Sequence, residues 1–393
     1  MHSLLFDSHQ ELKLYPRPKG RFGVRNHLAV VSTVFCANHV VERICRDLPA
    51  AVPVTHLGGC AQLGRDAEQT RRILLRTGGH PNVGAVLYVG LGCEQNSAHE
   101  LCRLVGESGK PAQSLVIQEA GGTRSSIEQG REACAVLQQH MDDRVQAVPW
   151  SEVTVGIECG GSDFSSGIVA NPAVGLVADA LVDAGATVIF GETCEVVGAE
   201  HLLAERALDD EIRRFILERV RDVEQEAQSM KVDIRGSQPS PGNIEGGLSS
   251  IEEKSLGAIC KSGSRRIVGG LDYGQEAVRP GLHFMDCPGQ DLSSICGLVS
   301  GGAHLVLFTT GRGSPLGFAI APVLKITANS HTARMMADDM DVDLSGYMDG
   351  AAPLEEAAAL IAEQLLQVAG GTLSRAEVLE HREFGFHSIG PTL

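Results

Sequence analysis

The chain has 393 residues, of which 43% are hydrophobic, only 4% are aromatic and 46 are glycine. That length is enough for two or three domains of about 100–200 residues each, and the composition favours an α/β enzyme with many tight turns. The formal net charge of −16 argues against nucleic acid or an anionic membrane as a partner, because both require a basic surface. An anionic substrate stays possible where a few arginines or lysines outweigh this field.

The cysteine content and the N-terminus indicate a reducing compartment. The chain has 11 cysteines without compact spacing, which is unlike a secreted disulfide scaffold. Its first residues carry no basic segment followed by an apolar stretch, as a signal peptide would. No apolar run is long enough to span a membrane. We therefore expect a soluble, cytoplasmic protein.

In the first half, short β-branched apolar runs alternate with amphipathic segments. This alternation predicts βαβ units and a parallel sheet. The predicted strands are at 28–35, 51–55, 85–89 and 114–118, and the predicted helices are at 38–47, 66–77, 98–108 and 125–141.

A polar, proline-containing linker at 142–151 separates a second half that begins in the same way. We expect an N-terminal α/β domain at 1–145, with an arm at 1–27, and a C-terminal α/β domain at 150–393. The fold class predicted is α/β, with two Rossmann-like parallel-sheet domains whose glycine-rich loops form an interdomain site. In the second half, strands are predicted at 153–157, 187–191, 281–285 and 304–309, helices at 171–184, 199–230 and 353–369, and a rigid loop without regular structure at 238–247.

Three glycine-bracketed cysteines, Cys60, Cys93 and Cys159, each follow or nearly follow a predicted strand. Loops at the carboxyl ends of parallel strands form the ligand crevice of an open α/β sheet. Three thiols delivered to such an edge favour a shared site. The alternative is that each thiol is a small buried apolar side chain, as free cysteines often are.

Several charged side chains stand at other strand ends or beside glycine-rich loops. Arg25 precedes the first strand, and Arg312 lies in a glycine-flanked loop, so either guanidinium could bind an anion bidentately. Glu192 follows a strand, and Lys254 lies among carboxylates, where a lowered pKa would make it a base. Each could instead be an ordinary surface group or helix cap. No P-loop, Gly-x-Gly-x-x-Gly fingerprint, Gly-x-Ser-x-Gly elbow or compact zinc pattern is present.

Taken together, these motifs resemble the altronate/galactarate dehydratase family, which also contains the large subunit of (2R)-sulfolactate sulfo-lyase. The resemblance extends over about residues 15–345. The matching stretches are Arg21-Phe-Gly-Val-Arg25-Asn26, Gly84 to Glu94, Glu158-Cys159-Gly-Gly-Ser-Asp163, Gly198-Ala-Glu-His201, Pro241-Gly-Asn-Ile-Glu245, Ile251-Glu-Glu-Lys254 and Phe308-Thr-Thr-Gly-Arg312-Gly313.

The resemblance implies a lyase that eliminates a group from C3 of a 2-hydroxy acid and yields a 2-keto acid. Loss of water from a sugar acid is the first expectation, release of sulfite from sulfolactate is the alternative, and a non-catalytic binding paralogue is a third possibility. The resemblance also implies an iron cofactor, Fe(II) or an iron–sulfur cluster with one open iron. A small antifreeze-like β-clip domain precedes this region in fused relatives, so we expect a separate small partner subunit and an oligomer.

The same resemblance assigns roles to particular residues. The expected metal ligands are Cys60, Cys93, Cys159, His56, Glu94 and Glu192. The expected substrate-binding residues are Arg25, Asn26, Arg124, Asn243 and Arg312. The expected catalytic residues are Lys254 as the base, His201 as its alternative, and Glu245.

Overall fold

The computed structural model describes residues 5–6 and 10–390. Its strands fall into two parallel sheets and one small antiparallel sheet. The strands are β1 (Glu11–Arg17), β2 (Arg21–Gly23), β3 (His27–Ser32), β4 (Ala51–Val54), β5 (Val83–Gly90), β6 (Ala112–Val116), β7 (Gln146–Pro149), β8 (Thr154–Gly160), β9 (Thr187–Phe190), β10 (Ile267–Leu271), β11 (Gly281–Met285), β12 (Leu305–Thr310), β13 (Val323–Thr327) and β14 (Val342–Asp343).

Helices connect most of these strands. They are α1 (Asn38–Cys45), α2 (Gly64–Gly79), α3 (Ala98–Gly106), α4 (Thr123–Gln139), α5 (Asn171–Asp183), α6 (Glu200–Glu205), α7 (Asp210–Ser229), α8 (Ile234–Ser237), α9 (Pro241–Glu245), α10 (Ile251–Ile259), α11 (Asp291–Ser300), α12 (Ser330–Met335), α13 (Leu354–Ala369) and α14 (Arg375–Val378).

The first sheet has four parallel strands in the order β4-β3-β5-β6, and the second has seven in the order β10-β11-β9-β8-β12-β13-β14. Every pairing in both sheets is parallel. All eight residues of β5 are buried, as expected for a strand covered on both faces. The prediction of an α/β fold with a parallel sheet in each half is confirmed.

A shared apolar core joins the two sheets. Ile73 and Leu74 of α2 pack in the same buried cluster as Ile295 and Leu298 of α11. The N-terminal arm also contacts the segment between the two halves, because β1 pairs with β2 on one side and with β7 on the other. The segment predicted as a linker therefore contributes a strand.

Two local predictions in the second half are wrong. The long helix expected at 199–230 is two helices, because the backbone N–H of Leu208 donates to the carbonyl of Ile267 and Asp209 caps a new helix through Ile212. The loop expected at 238–247 contains α9. Its proline lies in the first turn, where a missing N–H costs no hydrogen bond, and Ser240 and Asn243 form a capping box there.

One helical stretch, Ser166–Asp183, is long and apolar enough by length and composition to span a membrane. In the structure 67% of it is buried inside the protein, as in the core helix of a globular domain.

Candidate functional site

The candidate site lies at the carboxyl edge of the second sheet. Strand β8 runs between β9 and β12, so the carboxyl ends of these parallel strands lie side by side. Glu158 and Cys159 lie in the last three residues of β8, and both are fully buried. Glu192 follows β9 in the left-handed region, with φ +70°. Such a conformation costs about 1–3 kcal/mol for a residue other than glycine and is often found at functional sites.

Lys261 joins these side chains from the turn that follows α10. Its Nζ donates to Glu192 Oε2 at 2.6 Å and to Cys159 Sγ at 2.8 Å, and it lies 3.6 Å from Glu195 Oε2. The Lys261 side chain is only 2% exposed. An ammonium group therefore sits among a thiol and two carboxylates in the protein interior, where unpaired charges are very costly.

Lys254 extends this buried cluster toward the surface. Its Nζ lies 3.1 Å from Glu195 Oε1, and its side chain is 14% exposed. On the other side of the same carboxylate, Cys159 Sγ donates to Glu195 Oε2 at 2.8 Å. Glu195 thus links Lys254 to the thiol and to Lys261.

The ionisation of this cluster follows from burial and from mutual charge. Burial, reinforced by the charge of Glu195, raises the pKa of Glu192 to about 7. Burial also raises the pKa of Cys159. Burial alone would lower the pKa values of Lys254 and Lys261, but the neighbouring acidic groups raise both. Both lysines are therefore ammonium ions at neutral pH, and the raised pKa of Lys254 is opposite to the shift that a base needs.

A second acidic group adjoins the first. Candidate ligand atoms of Glu158, Glu192 and Asp291 lie within 4.8 Å of one another, as do those of Cys159, Glu192 and Glu195. Ser294 donates to Glu158 Oε2 at 2.6 Å, whereas Oε1 of Glu158 is buried without a hydrogen-bond partner among the described residues. Burial and the charge of Glu192 raise the pKa of Glu158, so either a proton shared with Glu192 or a bound ion would explain this buried oxygen.

Two small cavities open beside the cluster. A cavity of about 280 Å³ is lined by Lys254 and Ser162, and a cavity of about 390 Å³ is lined by Glu245 and Arg312. Both are lined by Asp163 and Phe164. Together they have the size and mixed polarity of a pocket for a small polar ligand.

Hydrogen bonds and an ion pair hold the loops that line these cavities. Asp163 accepts from Ser165 at 2.6 Å and from Asn329 at 2.7 Å. Arg312 donates to the carbonyl of Gly242 at 2.9 Å and lies 3.0 Å from Glu245.

Asn243 supports the same loop. Its Nδ2 donates to the carbonyl of Ser162 at 2.8 Å, and it also forms the capping box of α9. In this arrangement the amide positions the loop, and the assignment of Asn243 to substrate binding stays a prediction.

The structure brings Cys159 and Glu192 together but does not group them with the other expected thiols. Cys60 and Cys93 are exposed, and within residues 5–6 and 10–390 neither belongs to a group of three candidate ligands. The convergence of the three thiols on one metal therefore stays a prediction.

His56 and Glu94 hold loops of the first sheet. His56 Nε2 hydrogen-bonds the carbonyl of Ser32 at 2.9 Å, and its Nδ1 accepts from the Gly58 N–H at 3.1 Å. Glu94 accepts from Thr33 at 2.8 Å and from the Gly92 N–H at 2.7 Å. In this arrangement both nitrogens of His56 and both carboxylate oxygens of Glu94 have partners.

Arg25 and Asn26 likewise make structural contacts. Arg25, at 7% exposure, pairs with Glu377 at 2.7 Å, and Asn26 donates to Asp143 at 2.8 Å. Arg124 and His201 are exposed, Arg124 in the first turn of α4 and His201 in α6. None of these four lines either of the two small cavities.

The site residues missed from the sequence are Lys261 and Asp291, with Glu158 and Glu195 noticed only as neighbours of other residues. The Glu158-Cys159 motif at a strand end signals Glu158. Lys261 and Asp291 carry no local signal, because they are a lysine after a helix and an acidic residue in a helix's first turn. All seven side chains of the site lie in the second half of the chain, whereas the sequence predicted a site between the two halves. The seven are Glu158, Cys159, Glu192, Glu195, Lys254, Lys261 and Asp291.

Comparison with known proteins identifies the family of the chain. Residues 14–142 match the second domain of D-galactarate dehydratase/altronate hydrolase, and residues 150–392 match the C-terminal domain of D-galactarate/altronate dehydratase. The chain is 37% identical to the (2R)-sulfolactate sulfo-lyase subunit beta of Chromohalobacter salexigens, over 94% of this chain and 95% of the relative.

Two Escherichia coli enzymes are also similar. Altronate dehydratase is 33% identical over 98% of this chain and 79% of its own length. Galactarate dehydratase (L-threo-forming) is 34% identical over 91% of this chain and 72% of its own length. These relatives are lyases by name, and with the two domain matches they show that the chain belongs to the D-galactarate/altronate dehydratase family.

Proposed function

We propose that this chain is the catalytic subunit of a cytoplasmic lyase that eliminates water from a sugar acid of the 2-hydroxy acid class. The C2–H bond breaks, a C2–C3 double bond forms, and the C3 hydroxyl leaves as water. The resulting enol tautomerises to a 2-keto acid. The observation that carries this proposal is Lys254, which lines a small cavity and is ion-paired with the buried acidic cluster.

The acidic residues of the cluster fit a divalent metal. Glu158, Glu192 and Asp291 would hold it, and the unpartnered Oε1 of Glu158 is the atom that supports this choice. Cys159 is adjacent, but its Sγ already lies 2.8 Å from Lys261 Nζ and 2.8 Å from Glu195 Oε2. Carboxylates with a nearby thiol suit Fe(II), the cofactor implied by the family. When bound, such an ion supplies Lewis-acid polarisation of the substrate.

Metal analysis tests this ligand set against the one expected from the sequence. Protein purified under reducing conditions should contain iron, and Glu158→Gln should lose most of it while Cys60→Ser and Cys93→Ser keep it. Iron that disappears with the cysteine variants and survives in Glu158→Gln would support the three-thiol site instead. A chain that binds no iron in any form would support a non-catalytic paralogue.

We assign substrate binding and proton transfer to side chains that line the two cavities. Arg312 in the larger cavity would bind an anionic end of the substrate, since a guanidinium pairs well with carboxylate. Lys254, an ammonium ion, would stabilise the negative charge that develops after C2 loses its proton and would donate a proton from Nζ to the leaving hydroxyl. Glu245 lines the larger cavity and pairs with Arg312 at 3.0 Å. We assign it the removal of the C2 proton once a substrate carboxylate has replaced it on Arg312.

Solvent exchange separates these two roles. In D₂O, Lys254→Gln should still exchange the C2 hydrogen of the substrate, whereas the yield of 2-keto acid should fall about 100-fold or more, as for loss of a general acid. Glu245→Gln should lose both exchange and product. If Lys254→Gln stops the exchange while Glu245→Gln does not, Lys254 is the base, as expected from the sequence.

A sulfo-lyase is the second candidate, because one relative named for that reaction is 37% identical over nearly its whole length. In that reaction the C3–S bond breaks and sulfite leaves in place of water. Sulfite release from sulfolactate should be measured beside keto-acid formation from altronate and galactarate. Sulfite without a sugar-acid product would replace the first proposal with this one.

We also propose a separate small subunit as a partner. The sulfo-lyase relative is named as a subunit beta, which implies that a second subunit belongs to that protein. Co-expression with a small β-clip protein encoded nearby should give a complex in size-exclusion chromatography and raise activity. Full activity of the isolated chain would contradict this proposal.

A further inference from the structure

A cationic cleft lies on the side of the molecule opposite the candidate active site. It encloses about 560 Å³, and its lining includes seven cationic side chains against two carboxylates, Glu68 and Glu276. The chain as a whole carries a net charge of −16. A local excess of positive charge in so acidic a protein needs a specific cause.

The cleft is at the amino edge of both parallel sheets. His80 and Pro81 precede β5, Lys110 precedes β6, and Gly302 precedes β12, and all four line the cleft. The acidic cluster lies at the opposite, carboxyl edge. Strand β12 has 6 residues, so the two edges are separated by roughly 20 Å at about 3.3 Å per residue. The cleft is thus a different place from the candidate active site.

Four of the seven cationic side chains of the cleft form no ion pair with the described residues, whereas Arg71 pairs with Glu100 at 2.8 Å. Glu276 pairs with both Arg21 and Arg76. In contrast, Arg17, Arg72 and Lys110 donate to backbone carbonyls and form no ion pair with the carboxylates of the described residues. A backbone carbonyl is a dipole without net charge, so these hydrogen bonds do not balance the positive charges of Arg17 and Arg72.

Lys110 is the deepest of these groups. It is 5% exposed, and its Nζ donates to the carbonyls of Gly78 and His80 at 3.2 and 2.5 Å. Burial, together with the charges of Arg17 and Arg21, lowers its pKa well below the usual lysine value, which disfavours its charged form in the free protein. The fold therefore places the Lys110 amine close to the guanidinium groups of Arg17 and Arg21, and an anion bound between them would offset their repulsion and favour the charged form of Lys110.

We propose that this cleft is a second ligand site that binds a small, multiply charged oxyanion of the diphosphate class. Several cations without ion pairs require more than one negative charge, and arginine forks suit phosphate oxygens. The volume lies within the usual range for small-molecule pockets, about 300–1,000 Å³. The acidity of the rest of the surface disfavours nucleic acid as the source of the phosphates.

A ligand here would also touch the contact between the two halves of the chain. Arg21 belongs to the N-terminal arm, Arg76 to α2, and Glu276 to the second half, and the three form one ion-pair group at the cleft. Phosphate oxygens would compete with Glu276 for these arginines. The site is therefore placed to couple anion binding to the packing of the two halves.

Titration calorimetry of the full chain with inorganic pyrophosphate at low salt tests the proposal. The variant Lys19→Gln/Arg72→Gln removes two exposed cations of the cleft. The control Arg103→Gln/Arg131→Gln removes the same charge from side chains outside it. We expect the cleft variant to raise the dissociation constant about tenfold or more, because it loses charge-assisted hydrogen bonds to the anion, and the control to change it little.

Three results would overturn the proposal. The first is no measurable binding of pyrophosphate by the unaltered chain. The second is equal weakening in the cleft and control variants, as expected from metal chelation or from net charge alone. The third is competition between pyrophosphate and the 2-hydroxy acid in activity assays, which would place the anion in the active site. Circular dichroism of both variants confirms that they remain folded.

Discussion

Replacing Lys261 with methionine removes the positive charge from the centre of the buried cluster while keeping a side chain of similar length. The Nζ of Lys261 lies 2.6 Å from Glu192 and 2.8 Å from Cys159, and the side chain is 2% exposed. Without it, two buried carboxylates face each other across the thiol. Breaking a buried ion pair by removing one partner costs about 3–5 kcal/mol, and we expect Lys261→Met to lower the free energy of unfolding by that amount.

The protonation state of Glu192 determines how much the free energy of unfolding falls. The pKa of Glu192 is already raised to about 7 by burial and by Glu195, and loss of the ammonium would raise it further. Glu192 can then take up a proton near neutral pH. Each pKa unit corresponds to about 1.4 kcal/mol, so proton uptake limits the loss, and the loss should be smaller at pH 6 than at pH 8.

Urea unfolding of a double-mutant cycle measures this directly. We compare Lys261→Met, Glu192→Gln and the double variant at pH 8, and expect the double variant to be more stable than the two single effects predict, by about 0.5–3 kcal/mol. Lys325→Met is the control, because Lys325 is also fully buried but donates only to backbone carbonyls. Its effect should add to that of Glu192→Gln.

The reasoning would be refuted in two ways. Lys261→Met could leave the free energy of unfolding within about 0.5 kcal/mol of the unaltered chain, as a neutral surface substitution does. Alternatively, the Lys261 and Glu192 variants could combine additively, which would mean that no charge interaction joins them.

The remaining predictions concern acid stability and the acidic cluster. Burial lowers the pKa of three histidines from 6.5 to about 4; they are His27, His56 and His304. Because the unfolded chain binds more protons between these pH values, their stabilisation is complete above about pH 6.5 and is lost as the pH falls toward 4. Unfolding at pH 5.5 should therefore require about 1.4 kcal/mol less per histidine than at pH 7.5, and His304→Gln should flatten the curve in urea titrations, whereas an unchanged slope would contradict this. A β-carbon added at Gly160 would lie 2.4 Å from Asp291 Oδ2, so Gly160→Ala should displace that carboxylate and lower iron content and activity together, whereas Gly79→Ala, which meets nothing, should leave both unchanged.

Much of the fold could be predicted from the sequence, because the parallel strands are nearly continuous apolar runs that need burial on both faces. The strands at 85–89 and 187–191 were found for this reason, and glycines and prolines marked many of their ends. The break between α6 and α7 could not be found, because the amphipathic pattern continues across it. A hydrogen bond from Leu208 to Ile267, a residue far along the chain, interrupts the helix.

Some residues of the candidate site could likewise be predicted from the sequence, and others could not. Glu158, Cys159 and Glu192 stand at strand ends, and the rule that parallel strands present their carboxyl ends on one edge brings them together before any coordinates are known. Lys261 and Asp291 reach the same point from a turn after α10 and from the start of α11, and only the packing of those helices against the sheet decides where their side chains lie. The sequence by itself determined the parallel α/β fold and the edge at which its chemistry gathers. The tertiary structure decided which charges meet there and which amines stay protonated, since a pKa depends on distance and burial, and neither can be read from residue order.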